Sequence, residues 1–169
     1  MAADLALRFE TFPTPIGPFT VLASDDGVLA TSTDDPDAFL DDLVPRVGGV
    51  ARHDRRGLAG MGHELDRYFS GRLRRFTAPV DLSVVTTPFA RAVLEVTRTI
   101  PYGELRTYGD VAAAAGRPGA ARGAGSALRR CPIELFVPCH RVVPAGPGLG
   151  HYGGEDDRRA FLLRLEGAI

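Results

Sequence analysis

Two cysteines, Cys131 and Cys139, are the side chains of this sequence best suited to nucleophilic chemistry. Cys139 lies within Pro138-Cys139-His140-Arg141, directly after the apolar run Leu135-Phe136-Val137 and directly before Val142-Val143. A thiol attacks as its thiolate, and a neighbouring His⁺ or Arg lowers its pKa from about 8.5. The neighbours of Cys139 therefore suit an activated thiolate. From the residues alone, three other readings stand beside that one. Cysteine is among the most buried residue types, so Cys139 can be a structural thiol. It can be the nucleophile of a Cys-His hydrolase. Cys131, Cys139, His140 and His151 can also be grouped as a small metal site, although their spacing fits no zinc pattern. No CxxC pair is present, and two cysteines do not make a disulfide framework in a reducing compartment.

The elements that must position Cys139 are legible upstream of it. Thr87 can cap a helix whose first residue is Pro88. Phe89, Val93, Val96 and Ile100 recur at three or four residues and give that helix one buried face. Pro101-Tyr102-Gly103 ends it. Thr107 and Asp110 form a capping box for a short Ala-rich helix to Ala115. Gly116-Arg117-Pro118 interrupts, and a second helix is predicted from Pro118 to about Arg130. Two short helices with a Gly-containing turn fit a helix-turn-helix. The second helix is nearly all small residues, from Gly119 to Ala127, with Arg122 in their midst. Gly inside a helix costs roughly 0.5–1 kcal/mol relative to Ala, so its glycines need a reason. Close approach to a nucleic-acid groove accommodates Arg122 better than close approach to another helix. Leu135-Phe136-Val137 is predicted as a short buried strand.

The N-terminal half displays no chemical motif. Phe19–Leu22 and Val28–Thr31 flank the turn signal Asp25-Asp26-Gly27 and predict a hairpin. Pro13, Pro15 and Pro18 suggest a broken or edge strand before it. Helices are expected over Asp35–Val44, with Phe39, Leu40 and Leu43 on one side, and over Gly57–Phe69, with Leu58, Met61, Leu65 and Tyr68 or Phe69 at helical spacing.

The bulk numbers bound the class. The 169 residues, 44% hydrophobic and 24% charged, are globular in composition. No apolar run is long enough to span a bilayer. Met1 to Arg8 lacks the pattern of a secretory signal, so a cytoplasmic protein is expected. All 20 basic residues are Arg, and the formal net charge is −1. The charge is uneven: residues 1–88 hold nine Arg against thirteen acids, residues 89–169 eleven Arg against eight. The C-terminal half is the better match for phosphate. Composition shifts near Thr86-Thr87-Pro88, which predicts a scaffold domain over residues 1–86 and a domain carrying the chemistry over residues 87–169.

Several short runs occur in a fixed order. They are Ile100-Pro101-Tyr102-Gly103, Tyr108-Gly109, Ala120-Ala121-Arg122-Gly123-Ala124-Gly125, Val137-Pro138-Cys139-His140-Arg141-Val142-Val143, Tyr152-Gly153-Gly154 and Leu162-Leu163-Arg164-Leu165-Glu166-Gly167. The set closely resembles the O6-alkylguanine-DNA alkyltransferases, and Thr14-Pro15-Ile16-Gly17-Pro18 resembles the start of that family's N-terminal domain. The resemblance implies an α/β (α+β) chain. A ribonuclease-H-like domain, a small sheet with helices, would precede a mainly helical domain with a helix-turn-helix. It implies transfer of an alkyl group from O6-alkylguanine in double-stranded DNA, with O4-alkylthymine an open second substrate, onto Cys139. Each molecule would act once, with no metal or organic cofactor.

Roles follow residue by residue. Cys139 would be the acceptor, deprotonated by His140 through a water, with Glu166 orienting the imidazole. Tyr108 would protonate the leaving base. Arg122 would fill the gap left by the flipped nucleotide, with Ala121 and Gly125 allowing close approach to the minor groove and Arg117 touching the backbone. Pro138, Val142, Tyr152, Gly153 and Gly154 would wall the pocket. In an extended segment, adjacent side chains point to opposite sides, so Cys139 and His140 would need the bridging water. A monomer is expected, with cooperative binding along DNA left open. A second member of the family's repertoire, a lesion binder without alkyl transfer, lacks the acceptor Cys that this chain keeps. The chain departs from the family at Cys131-Pro132, where an Asn usually precedes the Pro and ties the second helix to the reactive segment. A thiol is a weak substitute, so a looser link is expected. Ala90-Arg91 and Leu94 also depart, as packing changes.

Overall fold

The computed structural model describes residues 4–150 and 156–169. The chain divides into two compact units, residues 1–84 and 85–169.

The first unit is built on strands β1 (Leu5–Phe12), β2 (Phe19–Ser24), β3 (Gly27–Ser32) and β4 (Gly49–His53), with helices α1 (Pro36–Arg46) and α2 (Ala59–Phe69). The sheet order is β3-β2-β1-β4, with β1 parallel to β4 and the other pairs antiparallel. The predicted hairpin is β2–β3, turning at Asp25-Asp26. The strand expected before it is not an edge strand. β1 is interior, and it ends at Phe12 because Pro13 cannot donate to a ladder. Leu7, Leu22, Leu29 and Ala30 form a buried cluster on which Phe39, Leu40, Leu43 and Val44 of α1 pack. The free side of β3 is covered by residues 79–81: Val28 N–H donates to Pro79 O at 2.9 Å, and Asp81 N–H to Val28 O at 2.8 Å. Gly27, at φ +142°, permits this approach, since a Cβ there would collide with the Pro79 carbonyl. Strand β4 was not foreseen.

The second unit contains α3 (Pro88–Arg98), β5 (Arg106–Thr107), α4 (Tyr108–Ala114), α5 (Ala121–Arg129), β6 (Val142–Val143) and α6 (Asp156–Leu165). Both predicted caps are present. Thr87 Oγ1 accepts from Ala90 N–H at 3.3 Å. Thr107 and Asp110 exchange side-chain and backbone bonds at 3.0 Å each. The second predicted helix starts three residues later than expected, at Ala121, because Gly119 (φ +85°) keeps Pro118-Gly119-Ala120 in the turn. Val93, Leu94, Val111, Ala112, Ala124 and Leu128 bury the facing sides of α3, α4 and α5.

Leu135–Val137 is not a strand. Leu135 takes a left-handed φ of +69°, and only a single bridge joins Glu134 to Val137. Cys139–Arg141 is a 3-10 turn rather than an extended segment, closed by Arg141 N–H donating to Pro138 O at 3.0 Å. Val142-Val143 then pairs in parallel with Arg106-Thr107. That two-residue ladder sets the start of α4 beside the end of the reactive turn. Among the described residues, no helix is long and apolar enough to cross a membrane.

Candidate active site

The 3-10 turn places three consecutive side chains, those of Cys139, His140 and Arg141, in the buried interior of the second unit. Successive residues of such a turn diverge by about 120°. Cys139 and His140 therefore point in different directions, as expected, but by turn geometry instead of strand alternation.

His140 and Arg141 converge on Glu166, which follows α6. His140 Nε2 lies 2.8 Å from Glu166 Oε1. Arg141 donates from Nε to Oε2 at 2.9 Å and from Nη2 to Oε1 at 2.8 Å, a bidentate pairing. Its Nη1 donates to Ile100 O at 2.7 Å and so joins the end of α3 to the same cluster. Gly103 N–H donates to Glu166 Oε2 at 3.4 Å. Gly103 is left-handed at φ +80°, and a Cβ there would press on the Glu166 carbonyl. The Glu166 side chain is wholly inaccessible and that of His140 is 1% exposed. Buried charge of this kind is costly unless it is paired and hydrogen-bonded, and here each Glu166 oxygen has partners.

Electrostatics follow from the contacts. Burial alone would raise the Glu166 carboxyl, but the bonds from His140 and Arg141 outweigh it and hold the group far below the usual carboxylate range. Burial lowers the His140 imidazole below its ordinary value, with the Glu166 contact opposing. Its Nδ1 is buried and makes no hydrogen bond to the described residues. Cys139 departs from expectation. Its pKa is raised well above that of a free thiol, first by the Cys131 thiol beside it, then by burial and by the Glu134 carboxylate. Arg141, the cation expected to activate it, is committed to Glu166 and Ile100. The free protein thus holds Cys139 as a thiol, 3% exposed, not as a standing thiolate.

Tyr108 opens α4, and its hydroxyl accepts from Arg159 Nη2 at 3.2 Å. Arg159 is 2% exposed and also donates to Leu149 O. Arg159 has no part in the sequence reading, and Arg141 enters it only as a neighbour that lowers the Cys139 pKa, not as the partner of Glu166. Arg159 lies in the polar run Asp156-Asp157-Arg158-Arg159, and nothing in its spacing signals burial. Pro138 and Val142 are buried. Tyr152, Gly153 and Gly154 lie outside the described residues.

The α5 residues are arranged differently. Arg122 is exposed and Ala121 and Gly125 are half-buried. Gly123 has a reason inside the fold: a Cβ there would come within 3.0 Å of the Phe89 ring. The small residues of α5 therefore partly serve packing against α3, the helix contact that the sequence reading set beside a groove. Arg117 is exposed, with its guanidinium 4.9 Å from the centre of the Phe89 ring. Cys131, just past α5, donates its thiol to Ile133 O at 3.6 Å. Among the described residues no cluster of three or more His, Cys, Asp or Glu is placed to hold a metal.

Comparison with known proteins converges on one family. Residues 7–82 match the family described as 6-O-methylguanine DNA methyltransferase, ribonuclease-like domain. Residues 88–168 match the family's DNA binding domain. A methylated-DNA–protein-cysteine methyltransferase of Mycolicibacterium paratuberculosis is 39% identical over 160 residues, covering 95% of this chain and 92% of that protein. The constitutive enzyme of that name from Bacillus subtilis is 35% identical, covering 94% of each. The crystal structure of Mycobacterium tuberculosis OGT in complex with DNA superposes with a TM-score of 0.80 at 35% identity, covering 94% of this chain and 92% of that one. An O6-methylguanine-DNA methyltransferase from the archaeon Pyrococcus kodakaraensis gives 0.65 at 26% identity, covering 95% and 99%. With both domains matched in order along nearly its whole length, the chain belongs to the 6-O-methylguanine DNA methyltransferase family.

Proposed function

We propose that this protein repairs DNA by taking the alkyl group of O6-alkylguanine onto Cys139, once per molecule. The observation that carries this is the buried Cys139–His140–Glu166–Arg141 arrangement in a chain of this family. An accessible hydrolase nucleophile would not need such enclosure. A 3%-exposed thiol reaches a DNA base only if the base leaves the duplex. Extrusion costs a few kcal/mol, less for a poorly paired base.

The steps use the geometry directly. With lesion in place, the Cys139 proton passes through a water to Nδ1 of His140, the ring nitrogen turned away from Glu166. Glu166 takes up the imidazolium charge at Nε2, and Arg141 keeps the carboxylate aligned. The new thiolate attacks the alkyl carbon, the carbon–oxygen bond breaks, and the base leaves with its electron pair. Because Arg159 donates to the Tyr108 oxygen, the phenol's own proton is available to the departing guanine. The product is a thioether, which has no easy route back to thiolate.

The helix pair α4–α5 acts as a helix-turn-helix, with α5 against the minor groove. Arg122 holds the vacated stack, Ala121 and Gly125 allow the approach, and Arg117 meets the backbone. Pro138 and Val142, both buried, wall the pocket. The protein acts as a monomer on double-stranded DNA, in the cytoplasm.

The test is a duplex bearing radiolabelled O6-methylguanine. Label recovered on Cys139, at no more than one per molecule and absent from Cys139→Ser, is expected. Tight binding with the lesion intact would assign the chain to lesion recognition instead. Repeated turnover of an ester would assign it to hydrolysis.

A further inference from the structure

Cys131 has no part in the steps above, yet the fold brings it to the acceptor. It lies just past α5, where its N–H closes on Leu128 O at 3.2 Å. Its thiol donates to Ile133 O at 3.6 Å. The same carbonyl accepts Val137 N–H at 3.2 Å, and Val137 O in turn accepts Cys139 N–H at 2.8 Å. The loop from 131 to 139 is thus folded back on itself through backbone bonds, and the left-handed Leu135 makes the reversal. The reversal brings the Cys131 thiol into side-chain hydrogen-bond contact with the Cys139 thiol. The two differ in access: Cys131 is half-buried and Cys139 buried.

We propose that Cys131 and Cys139 are a redox pair, which hydrogen peroxide converts to an intramolecular disulfide that blocks alkyl acceptance until a thiol reductant reopens it. The consequence for alkyl acceptance rests on the function proposed above; disulfide formation does not. The chemistry balances. The Cys131 thiolate attacks one peroxide oxygen, the O–O bond breaks, and hydroxide leaves as water after taking up a proton. Cys131 is then a sulfenic acid. The Cys139 sulfur attacks the Cys131 sulfur, the S–O bond breaks, and the hydroxyl leaves as a second water with the Cys139 proton. Two thiols lose two electrons in total, and one peroxide gains them. Sulfenic acids condense with a neighbouring thiol in this way, and the exposed member of such a pair is the one that reacts first. Cytosolic disulfides, where they occur, are typically transient and redox-sensing. Two molecules of a monothiol, or one dithiol, reverse the step by exchange.

Trypsin cleavage after Arg130 and Arg141 leaves both cysteines on one peptide, residues 131–141. The full-length protein is treated with hydrogen peroxide, blocked with iodoacetamide, digested and weighed. The expected peptide is lighter by two hydrogens and carries no block; after dithiothreitol it carries two. Alkyl acceptance falls at least tenfold on oxidation and returns with dithiothreitol. Cys131→Ser, normalised to its own untreated activity, keeps alkyl acceptance at peroxide doses that silence the wild type. A peptide that keeps both thiols overturns the proposal. So does a disulfide between two molecules on a non-reducing gel, or equal peroxide sensitivity in Cys131→Ser. If the peptide closes but the reduced protein accepts no alkyl group, the proposed function fails and the redox pair stands.

Discussion

Two Arg-bearing regions of the second unit use the same side chain in opposite ways. At Glu166, Arg141 is buried and all of its recorded bonds go to fixed acceptors. On α5 and the turn before it, Arg122 and Arg117 are exposed to solvent. In the first region the electrostatic energy is already committed, and it holds the reactive turn, the end of α3 and the residue after α6 together. In the second, on the function proposed above, it is kept for DNA. A structure of the free protein therefore displays the chemistry of the first region and only the readiness of the second.

Removing one charge should separate the two regions cleanly. Glu166→Gln leaves Arg141 buried without its carboxylate, which costs about 3–5 kcal/mol. Alkyl transfer should be lost, and thermal unfolding should move to a markedly lower temperature. An unchanged midpoint in calorimetry would show that the cluster is not a structural tie.

Acid should act on the same region. Both Glu166 and His140 have pKa values depressed by folding. Each therefore contributes stability above its unfolded value that is lost as pH falls. The loss should begin as pH drops below the ordinary imidazole value of 6.5 and continue below the ordinary Glu value of 4.5. Unfolding midpoints measured across that range should decline in two stages. In His140→Gln the upper stage should vanish.

The exposed region should respond in the reverse sense. Arg122→Ala and Arg117→Ala should change stability by less than about 0.5 kcal/mol, as surface substitutions do. Arg117→Ala should weaken binding to undamaged duplex and reduce the salt slope by about one. Arg122→Ala should instead slow alkyl transfer more than it weakens binding, because its part is played after the base leaves the stack. Fluorescence anisotropy and single-turnover rates distinguish these.

The smallest effect lies between the regions. Cys131→Asn should strengthen the tie between α5 and the reactive loop, where the thiol makes a weak bond to Ile133 O at 3.6 Å. A several-fold faster single-turnover rate is expected, and equal rates would show that the thiol suffices.

The contrast between the regions also explains what could be read in advance. The caps at Thr87 and Thr107, the periodicity of α3 and the β2–β3 turn are local signals, and local signals survive into the fold. Strand β4 was missed because Gly49-Val50-Ala51-Arg52-His53 has no clean alternation; its identity comes from pairing with β1. The 3-10 turn was read as extended because the apolar residues on both sides of it mimic strands. Arg141, Arg159 and the pairing of Cys131 with Cys139 depend on contacts far apart in sequence or on a left-handed Leu135, which no propensity announces. The resemblance supplied Glu166, which reads alone as a surface residue, but not the cation that neutralises it.

The ladder between Arg106-Thr107 and Val142-Val143 is only two residues long on each side. It joins the backbone next to Tyr108 to the backbone that directly follows the Cys139–Arg141 turn. On the roles proposed above for Tyr108 and Cys139, the separation of proton donor and acceptor is therefore a matter of chain register, and it does not depend on the length of the segments that connect them. Segments that connect the two, such as the turn before α5, can gain or lose residues without moving either group. A single insertion between Thr107 and Tyr108, or between Cys139 and Val142, would displace one partner by a full residue. In variation among related sequences, length changes should gather in the first kind of segment and be absent from the second.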